Sequence, residues 1–506
     1  MGISDRTIII DPISRIEGHL SIKVNESNGL VTEAFSVGEM FRGYENILRG
    51  RHPMDAQHIT ERICGVCPVS HGLASVLAQD MAYGIRPPAN GRILRNLIDC
   101  ASFVQDHILH FYALSALDYV DIAAIVQYSG DDPVMKKMKE WAKSQLNSNI
   151  FFPGAPFLPR YEGDYLSDLG LNLGAIKNYV ESLNIRTLGQ KACANFAGKL
   201  PHPTAIVAGG VTQNINIKNI FFYKDAMEKI LVFIKEKYIP DVLEVAKKFT
   251  DYFRYGKSPN NFLVFGAMQQ SEDPEDLFFP RGVMIQGKFE NFNPSLICED
   301  TEYSRFSSPS GLSPYEGVTT PEPHKRGAYT WVKAPRYKGE PMEVGPAARM
   351  IVSYKKGVPE VRKMLDPIFA SLKLSVDDLN SCMGRHLSRA LESQMVTEKS
   401  LVWLSQLKLD QPVHRDFTLP KEGRGFGLTE APRGALGHWL VIKNGVVDNY
   451  QCVVPTTWNF SARDRQGTPG PMEQALVGTP LRDKNNPIEV ARVVRSYDPC
   501  LACAVH

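Results

Sequence analysis

The order of hydrophobic and polar residues predicts a helical centre. Four long segments carry apolar residues at the three- and four-residue spacing of an amphipathic helix. Pro240 lies inside one of them, where we expect it to kink or split the helix. Segments of this length favour a helical bundle as the core. The four segments are Arg92–Val126, Leu171–Ala197, Asp225–Phe253 and Val376–Leu407.

Two pairs of extended segments predict β-hairpins, because each pair flanks an Asn-Gly dipeptide. The dipeptides are Asn28–Gly29 and Asn444–Gly445. A stretch rich in Pro, Gly and aromatic residues, Pro274–Pro346, is expected to form loops with short strands. A further strand is expected at Thr7–Ile10. The flanking segments of the hairpins are His19–Val24, Leu30–Val37, Gly437–Lys443 and Val446–Val454.

These elements predict one α+β unit, mostly α, over residues 1–506. It would consist of a large helical-bundle core with peripheral β-hairpins. We expect an N-terminal β-hairpin region at about 1–40, a helical core at about 60–410, and a C-terminal β-hairpin and metal-binding tail at about 411–506. The chain contains no internal repeat and no low-complexity segment.

Composition narrows the class of protein. The 506 residues are 43% hydrophobic and 22% charged, which excludes a disordered chain, a collagen and a coiled coil. A net charge of +2 is too balanced for a nucleic-acid binder or a polybasic membrane binder. No apolar run is long enough for a transmembrane segment. Met1–Asp5 leads directly into the first predicted strand, so we expect any export signal to reside on a partner.

Two CxxC pairs, Cys64/Cys67 and Cys500/Cys503, lie at opposite ends of the chain. A two-residue spacer allows two thiolates to chelate one metal, so two pairs could form a four-thiolate site. The residues alone leave three interpretations open. The first is a metal site, whose simplest form would be a structural zinc knot. The second is a redox dithiol at the first pair, and the third is a set of unrelated buried cysteines. We expect the remaining unpaired cysteines Cys100, Cys193, Cys298 and Cys382 to be buried small hydrophobes.

The surroundings of the pairs favour a metal. Pro68–Ala82 has the composition of a helix, which would place Cys67 at a helix N-terminus, where thiolates are stabilised. His71 could face the same site, although a packing or hydrogen-bonding role explains it better than ligation. His506 follows the second pair, and as a terminal residue it would be idle unless something anchors it.

The motifs that contain these pairs resemble the large subunit of nickel–iron hydrogenases. They are Arg62–His71 (RICGVCPVSH) and Asp498–His506 (DPCLACAVH). Further matches occur in the family's order, so that the resemblance covers essentially the whole chain. It implies an α-rich fold that buries its metal centre at the interface with an iron–sulfur small subunit. The further matches are Arg15–His19 (RIEGH), Phe41–Glu45 (FRGYE), Ala431–Leu436 (APRGAL) and Val453–Asn459 (VVPTTWN).

The resemblance implies a dinuclear centre. Nickel would be held by all four thiolates, with Cys64 and Cys500 as terminal ligands and Cys67 and Cys503 bridging to iron. The iron would also carry two cyanides and one carbon monoxide. Soft thiolates suit nickel and low-spin iron. Further matching positions surround the diatomic ligands: Arg433 and Thr456 as hydrogen-bond donors to cyanide, Leu436 and Val454 as apolar neighbours of carbon monoxide, and His71 beside the cofactor.

In this family H2 is cleaved heterolytically while a base takes the proton. Cys500 matches the first proton acceptor, and the guanidinium of Arg433 matches an alternative participant. Glu17 matches the carboxylate that relays the proton onward, and burial near thiolates is expected to raise its pKa. Asp106 and Asp498 match further acids around the site.

A third metal site is also implied by the resemblance. Its ligands would be Glu45, the backbone carbonyl of Cys452 and the side chain of His506, a hard donor set that fits magnesium best, with iron as the alternative. Position 500 is cysteine, which does not indicate the selenocysteine branch, unless a selenocysteine has been replaced or written as Cys. The family's precursors carry a C-terminal extension that is removed after nickel insertion, so the chain resembles the mature form.

The expected partners follow from the same resemblance. The chain has no spare cysteine constellation for iron–sulfur clusters, so a small subunit that carries clusters would complete a heterodimer and pass electrons to a cytochrome or another acceptor. We expect a periplasmic protein, associated with the membrane through its partners, with the cytoplasm as the alternative. Two other functions remain: a metal-free coupling subunit like the relative in respiratory complex I, and a structural zinc protein.

Overall fold

The structure is a computed structural model that describes residues 6–148 and 163–506. Its α-helices are α1 (Tyr44–Leu48), α2 (Asp55–Glu61), α3 (Pro68–Tyr83), α4 (Ala89–Leu109), α5 (Pro133–Ser148), α6 (Leu169–Ala197), α7 (Ile217–Phe233), α8 (Ile239–Lys248), α9 (Pro346–Lys355), α10 (Pro359–Leu372), α11 (Cys382–Ser405), α12 (Pro455–Asn459), α13 (Pro471–Leu476), α14 (Ile488–Ser496) and α15 (Leu501–Val505). Its β-strands are β1 (Arg6–Ile10), β2 (Leu20–Ser27), β3 (Leu30–Gly38), β4 (Ile206–Val207), β5 (Gly210–Val211), β6 (Phe262–Val264), β7 (Ala267–Gln269), β8 (Leu277–Phe279), β9 (Gly282–Ile285), β10 (Lys288–Glu290), β11 (Ile297–Asp300), β12 (Ala334–Tyr337), β13 (Gly423–Ala431), β14 (Gly434–Lys443) and β15 (Val446–Val453).

Long helices that pack side by side form the centre of the fold. α4 packs against α6 and α11, and α7 packs against the same two helices. α8 also contacts α11. The apolar side chains between these helices belong to one large buried cluster. The predicted helical core of an α+β fold is therefore confirmed, and the segment Leu171–Ala197 corresponds to α6.

The prediction of one helix over Arg92–Val126 was wrong. After α4 the chain forms a π-helical turn, His110–Ser115, and then short 3-10 segments. The backbone carbonyl of Asp118 accepts two hydrogen bonds from the guanidinium of Arg492, at 2.6 and 3.0 Å. These tertiary bonds occupy the Asp118 carbonyl at the end of the first 3-10 segment, where they compete with helical hydrogen bonding, and hydrophobic spacing carries no signal for them.

Two other helical predictions hold with interruptions. Pro240 lies in the first turn of α8, where its missing N–H is tolerated, and a π-helical turn, Ile234–Tyr238, joins α7 to α8. The segment predicted to begin at Val376 divides into a 3-10 turn and α11. Ser381 caps α11, because its hydroxyl accepts a hydrogen bond from the backbone N–H of Gly384.

Both predicted hairpins are present. β2 and β3 pair across Asn28–Gly29, and β14 and β15 pair across Asn444–Gly445. Each hairpin belongs to an antiparallel sheet, ordered β1-β2-β3 near the N-terminus and β13-β14-β15 near the C-terminus. The segment Pro274–Pro346 forms loops with short strands, as predicted. The sequence pattern did not predict β13.

Two glycines of β13 allow α3 to lie directly on the C-terminal sheet. A Cβ at Gly425 would stand 2.2 Å from the carbonyl of Ala78, and one at Gly427 would stand 1.9 Å from the carbonyl of Ala74. Neither position could hold a larger residue without moving the helix. This close packing fixes the N-terminus of α3, where Cys67 is located.

The unpaired cysteines follow the prediction with one exception. Cys100, Cys193 and Cys382 are buried. Cys298 is only half-buried, because it lies on β11 in a sheet of two strands that leaves part of this face open. None of the described helices is sufficiently long and apolar to cross a membrane.

Candidate metal centre

Four cysteine sulfurs converge in the core between the C-terminal sheet and the end of the chain. Cys64 lies in the loop after α2, Cys67 caps α3, Cys500 caps α15 and Cys503 lies within α15. The sulfur of Cys500 is 3.4 Å from that of Cys64 and 2.9 Å from that of Cys503, which is 3.3 Å from that of Cys67. All four sulfurs lie within 4.8 Å of one another and are buried.

The donor set fits soft metal ions. Burial raises the pKa of Cys500 and that of Cys503 far above their ordinary values. Four thiolates this close repel one another unless a cation lies between them. Thiolates are the ligands that nickel and iron accept in tetrathiolate sites. A pair of divalent cations would balance the charge of four thiolates.

Glu17 lies against the second cysteine pair. Its Oε2 is 3.1 Å from the sulfur of Cys500 and accepts a hydrogen bond from the backbone N–H of Ala502 at 2.9 Å. The neighbouring Gly18 has a φ of +83°, and a Cβ there would stand 2.9 Å from the Ala502 nitrogen. Only glycine permits this approach. Burial, followed by the nearby sulfur of Cys64, raises the pKa of Glu17.

Arg433 is held by two carboxylates. Its guanidinium contacts Asp106 through Nη1 at 2.7 Å and Nη2 at 3.2 Å, and it contacts Oδ1 of Asp498 at 3.0 Å. Its Nε donates to the backbone carbonyl of Asp498 at 3.0 Å. Burial alone would lower the pKa of Arg433, but the two carboxylates outweigh it and raise that pKa well above its ordinary value. The guanidinium therefore stays charged.

The remaining predicted neighbours of the cofactor also lie here. The hydroxyl of Thr456 accepts a hydrogen bond from the backbone N–H of Cys500 at 3.1 Å. Leu436 and Val454 belong to the apolar cluster that contains the four cysteines. Nε2 of His71 lies 3.4 Å from the sulfur of Cys503. Burial lowers the pKa of His71 to about 4, so its imidazole is neutral at pH 7.

A second candidate metal cluster contains Glu45, Cys452 and His506. Oε1 of Glu45 lies 3.1 Å from Nε2 of His506 and accepts a hydrogen bond from the backbone N–H of Cys452 at 2.9 Å. The terminal imidazole is anchored, because Nδ1 of His506 also lies 2.7 Å from the carbonyl of Cys503. Burial raises the pKa of the Cys452 thiol far above its ordinary value, so this sulfur is a poor ligand.

A lysine that no sequence pattern indicated also belongs to this cluster. Nζ of Lys333 lies 3.0 Å from Oε2 of Glu45 and 3.5 Å from a carboxylate oxygen of Glu299. Burial opposes ionisation of Glu45, but Lys333 and then His506 outweigh it and hold the pKa of Glu45 low. The loop that carries Lys333 is distant in sequence from the other members, so only the fold brings it here.

Sequence reasoning also missed two residues beside the cysteines. Arg42 donates to the backbone carbonyls of Ile63 and Ala502, both at 2.6 Å, and so joins the segments that carry the two cysteine pairs. His438 lies 3.1 Å from His71. It could have been found, because it lies on the predicted strand Gly437–Lys443, two residues after Leu436, and residues two apart on a strand share a face.

Comparison with known proteins agrees with this geometry. A family model described as nickel-dependent hydrogenase matches residues 42–506, and one described as HoxL-like matches residues 7–39. The chain is 40% identical to the periplasmic NiFeSe hydrogenase large subunit of Desulfomicrobium baculatum, over 99% of this chain and 94% of that protein. It is 35% identical to the uptake hydrogenase large subunit of Rhizobium leguminosarum bv. viciae, over 99% of this chain and 95% of that protein.

A solved structure shows the same fold. The reduced Ni-Fe-Se hydrogenase from D. vulgaris Hildenborough superposes with a TM-score of 0.88 at 40% identity, covering 99% of this chain and all of that one. Neither a metal-free coupling subunit nor a zinc protein is supported by these matches. The chain therefore belongs to the nickel-dependent hydrogenases, as the large, catalytic subunit of an oxidoreductase that acts on H2.

Proposed function

We propose that the four cysteines hold a nickel–iron pair. The observation that carries the proposal is the convergence of four buried sulfurs within 4.8 Å beside the carboxylate of Glu17. Cys64 and Cys500 would be terminal ligands of nickel, while Cys67 and Cys503 would bridge to an iron that also carries two cyanides and one carbon monoxide. When bound, this pair supplies the site at which H2 is cleaved heterolytically.

The surrounding residues suit the diatomic ligands. A guanidinium has five N–H groups, and Arg433 directs four of them at Asp106 and Asp498. The fifth, on Nη1, has no acceptor among the described residues and is available to a cyanide nitrogen. Thr456 accepts the Cys500 amide, so its hydroxyl proton is available to a second cyanide. Asp106 and Asp498 thereby position the arginine.

Proton removal requires a group that binds and releases protons near the cysteines. We assign this role to Cys500 as the first acceptor and to Glu17 as the relay. The two side chains are in hydrogen-bonding contact, and a raised pKa suits a carboxyl group that exchanges protons near neutral pH.

The Glu45 cluster would hold magnesium, with iron as the alternative. The donor set consists of a carboxylate, an imidazole and the backbone carbonyl of Cys452, with water completing the shell. Nζ of Lys333 donates a hydrogen bond to Oε2 of Glu45. The cation would therefore bind Oε1, the carboxylate oxygen that faces His506. The expected role of the Cys452 carbonyl is consistent with a thiol that stays neutral.

A large subunit needs a partner to remove electrons. We propose a small subunit that carries iron–sulfur clusters, which passes electrons from H2 to a cytochrome or another acceptor. The names of the relatives, periplasmic and uptake hydrogenase, support a periplasmic location with association to the membrane through partners. A cytoplasmic location is the alternative.

Elemental analysis and infrared spectroscopy of the purified heterodimer test the proposal together. We expect nickel and iron in the large subunit, magnesium at the second cluster, one carbon monoxide band, two cyanide bands and reduction of a dye by H2. Zinc in place of nickel, or the absence of transition metals and of diatomic bands, would refute the dinuclear centre. Two relatives are named as selenium-containing hydrogenases. The same elemental analysis therefore also tests residue 500: because it is cysteine, we expect no selenium in the protein.

A further inference from the structure

A two-residue turn carries Arg433 beside the metal centre. β13 ends at Ala431 and β14 begins at Gly434, and these two residues pair, so the turn consists of Pro432 and Arg433. Two carboxylates hold the guanidinium of Arg433 at the tip of its side chain. The place of this guanidinium therefore also depends on what fixes the backbone of the turn.

The beginning of α9 fixes that backbone. Nη1 of Arg349 donates to the carbonyl of Ala431 at 3.0 Å, and Nη2 donates to the carbonyl of Pro432 at 2.8 Å. On the other side of the turn, Gly345 has a φ of +119°, and a Cβ there would stand 2.9 Å from the carbonyl oxygen of Arg433. The start of α9 therefore lies against three successive carbonyls of the turn.

Arg349 is itself held by two acidic side chains. Its Nε donates to Oε1 of Glu392 at 2.9 Å, and its Nη1 donates to Oε2 of Glu430 at 2.8 Å. All three residues are completely buried. Burial alone would lower the pKa of Arg349, but Glu392 and then Glu430 outweigh it and raise that pKa. The guanidinium therefore stays charged, and moving it away from the turn would leave buried carboxyl groups without their partner.

We propose that Arg349 is a positioning residue, whose guanidinium holds the carbonyls of Ala431 and Pro432 and thereby directs the side chain of Arg433 toward the metal centre. A planar guanidinium presents several donors in fixed directions, whereas the ammonium of lysine is a single point. Among the described residues, Arg349 forms no hydrogen bond with the four cysteines, so its influence passes through the backbone of Arg433. The proposal rests on the proposed function, in which Arg433 donates to a cyanide on iron.

The test is Arg349→Lys in the assembled heterodimer, compared with Arg336→Lys. Lysine keeps the positive charge but cannot reach both carbonyls and both carboxyl groups at once. We therefore expect the cyanide infrared bands of Arg349→Lys to shift from their wild-type positions, with nickel and iron content unchanged. The shift reports a changed hydrogen bond from Arg433, which a loss of stability alone would not produce.

Arg336 is a matched control. It is 1% exposed, its Nε donates to Asp464 at 2.9 Å, and its Nη2 donates to the backbone carbonyl of Thr468 at 2.9 Å. None of its hydrogen-bond partners among the described residues belongs to the proposed metal centre. Arg336→Lys is therefore expected to leave the cyanide bands in place.

A double variant determines whether the effect passes through Arg433. Arg433→Lys alone should also shift the cyanide bands. If Arg349 acts through Arg433, adding Arg349→Lys to Arg433→Lys should cause no further shift, because two residues that act through one contact are not additive. Additive shifts, or unshifted bands in Arg349→Lys, overturn the proposal.

Glu430→Gln is the second variant and decides the question if Arg349→Lys does not assemble. One oxygen of Glu430 accepts from Arg349 and the other accepts from the backbone N–H of Phe265 at 2.7 Å, whereas glutamine would turn its NH2 group toward one of these donors. We expect the same bands to shift by less, because Glu392 still holds the guanidinium, and unshifted bands again overturn the proposal. Wild-type protein without nickel or diatomic bands would refute the proposed function, whereas bands that are present but insensitive to these variants refute only the role of Arg349.

Discussion

Replacing Glu17 with glutamine separates proton transfer from metal chemistry. An amide has nearly the size of the carboxylate, and its carbonyl can keep the 2.9 Å hydrogen bond from the Ala502 amide. It cannot take up the proton of Cys500, whose sulfur lies 3.1 Å away. A positioned acid–base group contributes about 10²-fold or more to turnover. We therefore expect Glu17→Gln to lower H2 oxidation by at least about 10²-fold, or roughly 2.7 kcal/mol of barrier at 1.36 kcal/mol per factor of ten.

The assay measures turnover and spectra on one preparation. Metal content and the carbon monoxide and cyanide bands are expected to stay close to wild type, because Glu17 is not among the proposed ligands. Glu473→Gln is a matched control, since Glu473 is buried, accepts the Ser36 amide at 2.9 Å and has a pKa that burial raises to about 7. Unchanged turnover in Glu17→Gln would mean that protons leave by another path, such as one that begins at Arg433. Disappearance of the carbon monoxide and cyanide bands would mean that Glu17 is required for assembly of the metal centre, not for proton transfer alone.

Two further predictions concern a ligand and a buried acid. Cys500→Ser replaces a proposed soft ligand with a hard, mostly protonated hydroxyl. We therefore expect nickel and activity to be lost, while iron can remain. Full nickel occupancy with normal turnover would contradict the assignment of Cys500 as a ligand. Asp99 is buried, neither of its carboxylate oxygens has a hydrogen-bond partner among the described residues, and burial raises its pKa from 3.8 to about 8. Its contribution to stability therefore falls as pH rises from about 4 to about 8, because the unfolded chain releases the proton first. Asp99→Asn should flatten this dependence in thermal unfolding, and an unchanged pH profile would show that the carboxyl is not buried in the way described.

Local signals were sufficient for the parts of the fold that depend on neighbouring residues. The Asn-Gly turns at 28–29 and 444–445 placed both hairpins, and the proline after Cys67 placed the start of α3. The helical path that continues from α4 through the π-helical turn stops at Asp118, whose carbonyl accepts hydrogen bonds from Arg492, a residue remote in sequence. No periodicity within the helix could reveal that competition.

The same distinction applies to the metal centre. The spacing of each CxxC pair indicates chelation, but the meeting of the two pairs depends on contacts between remote segments, among them the hydrogen bonds from Arg42 to the carbonyls of Ile63 and Ala502. Spacing alone left zinc, redox and packing roles open, and the family motifs were needed to choose among them. The division into regions and the role of each site residue stay predictions, although the candidate residues lie together as expected.

The electrostatic environments of Glu17 and Arg433 favour different roles for these two groups. Arg433 contacts two carboxylates, which raise its pKa, so releasing a proton from it would leave two anions uncompensated in the core. Among the described residues Glu17 forms no ion pair; its carboxylate faces one amide and one sulfur, and burial raises its pKa above the ordinary value. A group that relays a proton must be able both to bind it and to release it during turnover. We infer that Glu17 moves the proton, while Arg433 stays charged and orients what binds beside it.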